Sequence, residues 1–176
     1  MKAVATVSGA CVGQLAREGL KPKGALTRDM LQENLKAAGK YRREEAKTGK
    51  PVWTVLLPLD ASQIPDGAPD LFKEGFDYYR TPRGQHPRAT CETVAHSVDL
   101  HANFDAFAFV DLISPRPLLM IIGEKADSGY FSRNAIEKAK EPKELFVIKG
   151  KTHVALYDQI EESLPKLADF FVKNLT

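Results

Sequence analysis

The sequence predicts an α/β fold, a mostly parallel sheet with helices on both faces, and three observations carry that prediction. Residues 118–122 in "PRPLLMIIGEKADS" are a short apolar run stopped by Gly123, as in a strand buried on both faces. A helical segment, "SRNAIEKAKEP", separates that run from a second strand, "KELFVIKG". A loop carrying His153 and an amphipathic segment, "SLPKLADFFVKNL", then follow. Strand, helix, strand is a βαβ unit of a doubly wound sheet, whose functional loops sit at the C-terminal ends of the strands.

The elements can be justified in chain order. Residues 2–8, "KAVATVS", are apolar and partly β-branched, and read as another buried strand. Residues 9–109 lack the sheet pattern and read as an inserted cap or lid. Within them a long charged helix starts at Thr27 as N-cap, with Asp29 in its first turn and a narrow stripe of Leu31, Leu35 and Ala38. "PVWTVLLPLDASQIPDGAPD" has four prolines in twenty residues and reads as an extended surface segment, although residues 52–57 suit a strand. The core resumes over residues 110–176, so the expected organisation is a core of 1–8 and 110–176 around the insertion. The helix after residues 118–122 is expected to be capped by Ser132 and closed before Pro142. The last helix is expected to carry Leu164, Leu167, Phe170 and Phe171 on one side.

With 176 residues, 43% of them hydrophobic and 27% charged, the chain is long enough for one domain with a real core. A net charge of +2 argues against a nucleic-acid or membrane-surface partner. No apolar run reaches the ~18 residues of a membrane span. Cys11 and Cys91 form no disulfide framework, which fits a reducing, cytoplasmic setting. His86, His96 and His101 lack compact ligand spacing, so neither a metal nor another cofactor is expected.

"KAVATVS", "FDYYRTPRGQHPRAT", "SPRPLLMIIGEKADSGYFS", "EPKELFVIKG" and "THVALYD" follow one another in a recognisable order. In that order the chain resembles the C-terminal part of an α/β-hydrolase. It is most similar to the dienelactone-hydrolase-like branch with a helical cap, which includes fungal polyketide transferases and thiohydrolase-like enzymes. The resemblance implies a hydrolase acting on ester- or thioester-type acyl bonds of a small-molecule substrate. It also implies that residues 2–8 are the strand after the nucleophile helix. The G-x-S-x-G elbow, absent from this sequence, would then lie upstream of Met1 and the triad here would be incomplete. A chain of that kind is expected to be inactive alone and prone to self-association through an exposed sheet edge. A non-catalytic remnant or binding module is the second reading.

His153, on the loop after the last strand, is the expected general base. Its acid partner belongs on the loop after residues 118–122, where Asp127 is first choice and Glu124 the alternative. "GACVG" places Cys11 in a G-x-C-x-G pattern directly after a strand, which leaves a cysteine hydrolase open. Against it, only a short helical stretch follows before Gly19 and Pro22. "RTPRGQHPR" gathers three arginines around His86, and Arg83 and His86 are candidate substrate contacts. The base is expected in an open notch, bonded to Asp127 or Glu124, with no serine hydroxyl on a strained turn opposite it. Cys11 sulfur within roughly 3–4 Å of the ring would favour the cysteine enzyme, and a serine at that distance would overturn both readings.

Overall fold

In the computed structural model, which describes residues 1–175, β1 (Val4–Val7) opens a first unit made of residues 1–11 and 106–176. Residues 12–105 form a second unit. It holds helix α1 (Val12–Glu18), helix α2 (Arg28–Thr48), strand β2 (Trp53–Val55), helix α3 (Asp70–Tyr79), strand β3 (Glu92–Val94) and helix α4 (Val98–Ala102). The first unit resumes with strand β4 (Leu118–Gly123), helix α5 (Gly129–Lys138), strand β5 (Lys143–Ile148), helix α6 (Ala155–Asp158) and helix α7 (Ser163–Leu175). Among the described residues, no helix is long and apolar enough to cross a membrane.

The first unit is a parallel sheet in the order β1-β4-β5. β4 is central and buried along its whole length, which is why it reads as an unbroken apolar run. Its side chains alternate between two cores. Leu118 and Met120 meet Val110, Ala135 and Ala139, so α5 covers that face. Leu119 and Ile121 meet Ile148, Leu156, Leu167 and Phe170, so α6 and α7 cover the other. Helices on both faces of a parallel sheet are the architecture the sequence predicts.

One helix cap differs from expectation, and one apolar residue of the last helix stays exposed. α5 begins at Gly129 with Ser128 at its N-cap, and Ser132 lies inside the helix, fully buried, its hydroxyl donating to the Gly9 carbonyl at 3.3 Å. Leu164 is 55% exposed, because the inward stripe of α7 runs through Leu167 and Phe170.

In the second unit, α2 starts where its cap residue predicts, with Thr27 Oγ1 accepting the Met30 N–H at 3.2 Å. It ends at Gly49 in the left-handed region at φ 69°. Only Ala38 of its apolar stripe is fully buried. β2 and β3 form a short antiparallel ribbon, and all three residues of β2 are exposed.

Candidate active site

The C-terminal ends of β4 and β5 are tied to the loop that carries His153. Glu124 N–H donates to the Ile148 carbonyl and Lys125 N–H to the Lys151 carbonyl, each at 2.9 Å. Gly123 makes that closeness possible: a Cβ there would lie 2.3 Å from the Lys151 carbonyl oxygen. The Glu124 carboxylate accepts the Gly150 N–H at 2.8 Å and braces the turn. Thr152 Oγ1 accepts the Ala155 N–H at 3.3 Å at the start of α6. Ser8, at the end of β1, donates its hydroxyl to the His153 carbonyl at 2.9 Å.

Two hydroxyls take the two ring nitrogens of His153. Ser128 Oγ is 2.5 Å from Nδ1, and Tyr157 Oη is 2.9 Å from Nε2. The tyrosine follows the histidine by four residues, so the short helix α6 carries it back over the ring. Instead of lying in an open notch, His153 is 5% exposed. Burial disfavours the imidazolium and pushes its pKa down from 6.5 to about 4. At neutral pH the ring is therefore uncharged, with one nitrogen donating and the other accepting.

A serine does meet the ring, within the distance that counts against both readings, but not on a strained turn. Ser128 lies closer than the distance set for a nucleophile, yet it lacks a nucleophile's setting. It is 2% exposed, and its backbone is relaxed at φ −87°, ψ −5°. A distance alone names a hydrogen-bond partner; attack on a carbonyl also requires access. Ser8 is the serine on a left-handed turn, at φ 49°, but its proton goes to the His153 carbonyl rather than the ring.

The other predicted residues are placed as follows. Asp127 precedes Ser128 on the same loop and is half-buried. Cys11 is fully buried, and its sulfur accepts the Ala106 N–H at 3.3 Å. The glycines around it answer to packing. A Cβ at Gly13 would lie 1.6 Å from the Phe104 carbonyl oxygen, and one at Gly9 would crowd Thr6 Oγ1 at 3.2 Å. The helix after Cys11 has seven residues. Arg83 and His86 belong to the second unit. Arg83 pairs with Asp77 at 2.8 Å and stacks over the Tyr78 ring. His86 Nδ1 accepts the Arg88 N–H at 3.2 Å. His86, Arg80, Tyr79 and Thr90 line a cavity of about 600 Å³ within that unit.

Sequence reasoning missed Ser128 and Tyr157. The i, i+4 spacing of His153 and Tyr157 was the available signal for the tyrosine.

No protein-family model matches the chain. It is 34% identical over 155 residues to the uncharacterized protein PA2218 of Pseudomonas aeruginosa, covering 86% of this chain and 41% of that protein. It is 26% identical over 179 residues to the uncharacterized protein YcjY of Escherichia coli K12, covering 99% of this chain and 57% of YcjY. The chain thus spans about half the length of the curated relatives it matches. The crystal structure of PA2218 superposes with a TM-score of 0.88 over 99% of this chain and 54% of that one, at 31% identity. The α/β-hydrolase GrgF of Penicillium sp. sh18 superposes with a TM-score of 0.63 over 81% of this chain and 49% of GrgF, at 23% identity. The buried parallel strand, the helices on both faces and the histidine loop at the strand ends thus belong to part of an α/β-hydrolase-like fold.

Proposed function

We propose that the chain carries the general-base part of a hydrolase in the dienelactone-hydrolase-like branch, acting on ester- or thioester-type bonds of a small-molecule acyl substrate. One observation carries the reading: an uncharged histidine, held by its loop and by hydroxyls, at the C-terminal ends of parallel strands in this fold. As base, His153 takes the proton of an attacking hydroxyl and returns it to the leaving group. Asp127 is the proposed acid partner, on the loop where such a carboxylate belongs. Glu124 is the alternative, and its bond to Gly150 also gives it a bracing role. Arg83 and His86 are proposed to contact substrate polar groups. No nucleophile is assigned among Ser8, Ser128 and Cys11, for the reasons of proton use and burial given above.

A binding module without catalysis is the second reading, favoured by the occupation of both ring nitrogens. One assay separates the two. The protein, in the form its gene encodes, is offered p-nitrophenyl esters and acyl thioesters and compared with His153→Gln. A drop in kcat/KM of about 10²–10⁴-fold supports the base. Equal rates overturn it, and no turnover by the wild type favours the binding module.

A further inference from the structure

The bonds around His153 do not by themselves say which nitrogen holds the proton, but the surroundings do. Either Ser128 donates to Nδ1 and Nε2–H donates to Tyr157, or Tyr157 donates to Nε2 and Nδ1–H donates to Ser128. The two patterns differ in what they leave over. Ser128 is 2% exposed, and its hydroxyl has no other hydrogen-bond partner among the described residues. In the second pattern its own O–H proton would be buried with nowhere to go. In the first pattern the remaining proton is the phenol's, on a residue that is 38% exposed and can give it to water.

We infer that Ser128 donates its hydroxyl proton to Nδ1 and so holds His153 in the tautomer protonated on Nε2, with Tyr157 accepting. A stranded buried O–H sets the preference at roughly 5- to 150-fold. The consequence rests on the reading of His153 as a base. A base acting through Nε2 needs that nitrogen bare and Nδ1 protonated, the reverse of this resting arrangement. Ser128 is then a positioning residue that stores the ring in its non-accepting form. Switching it on moves one proton from Nε2 and adds one at Nδ1, with no change of charge.

The test is a long-range ¹H–¹⁵N spectrum of the whole chain near pH 7, which distinguishes a protonated ring nitrogen from a bare one. Three samples are compared: wild type, Tyr157→Phe and Ser128→Asp. The expected result is a bare Nδ1 and a protonated Nε2 in the wild type. Tyr157→Phe should keep that pattern, because the serine sets it. Ser128→Asp replaces a donor by an acceptor and should move the proton to Nδ1. A wild type with a bare Nε2, or a Tyr157→Phe variant whose tautomer reverses, overturns the inference. The spectrum needs no substrate, so its outcome is independent of the esterase assay with His153→Gln.

Discussion

Acidification should cost this fold more than its exposed charges suggest, and one histidine is the reason. His153 is 5% exposed, and its pKa is pushed from 6.5 down to about 4. Above pH 6.5 neither the folded nor the unfolded chain protonates it, and its contribution to stability is complete. Between pH 6.5 and 4 the unfolded chain takes up a proton that the folded chain refuses, so stability falls as pH falls. Below pH 4 both states bind the proton and the loss levels off. A gap of about 2.5 pH units corresponds to about 3 kcal/mol. The carboxyls of Asp60 and Asp99, held below their usual range by Ser62 and Arg42 respectively, lose their contribution at lower pH than this window. The assay is urea unfolding at intervals from pH 7.5 to 3.5, for wild type and His153→Gln. Subtracting the variant's curve removes groups common to both. The difference should shrink by about 3 kcal/mol across the window, and the His153 Hε1 resonance should titrate near pH 4. Parallel curves, or a midpoint at or above 6.5, would refute the claim that burial alone governs this ring.

Three further outcomes follow from the same packing. Gly123→Ala drives a Cβ to 2.3 Å from the Lys151 carbonyl oxygen, whereas Gly150→Ala, at φ 71°, meets nothing within 4 Å. Denaturant titration should show a loss of about 1–2 kcal/mol at Gly150 and a larger one at Gly123. Glu124→Ala removes the acceptor of the Gly150 N–H, so that amide should exchange faster with solvent while global stability changes by about 1 kcal/mol or less. Phe131→Ala empties a site that is fully buried and should cost about 3–5 kcal/mol, read from the unfolding midpoint.

The parts of the fold most legible in the sequence are those where burial leaves one option. "LLMIIG" is apolar at every position because both faces of β4 are covered, and a strand of that kind implies a parallel neighbour and a crossover helix. Thr27 announces α2 because a β-region threonine before a charged helical run has an N–H to accept. Leu164 shares the apolar side of α7 yet is 55% exposed, because a position on a helix face does not say how far the covering core extends. "GACVG" matches an elbow pattern, and its glycines have a packing role. Glycine is demanded wherever backbone must approach backbone, and Gly13 approaches the Phe104 carbonyl.

The site was harder to read because a hydroxyl can serve a helix or a side chain, and sequence does not say which. "SGYFS" holds two serines four residues apart, and either can stand at the start of α5. Had Ser132 been the cap, the helix would begin four residues later and its hydroxyl would accept a backbone N–H of the first turn. The helix instead begins at Gly129, which turns Ser132 inward and leaves Ser128 at the N-cap with no capping bond. The hydroxyl that would have satisfied the helix end lies against Nδ1 of His153. The helix thus gives up a side-chain cap, about 1 kcal/mol where one forms, and the buried imidazole gains a partner it would otherwise lack. The partners at hand decide between the two uses. The start of α5 is buried too, but its Gly129 and Phe131 N–H groups already donate to the Ala126 and Ser128 carbonyls at 2.9 and 3.1 Å, whereas the nitrogen of a ring that is 5% exposed needs the hydroxyl.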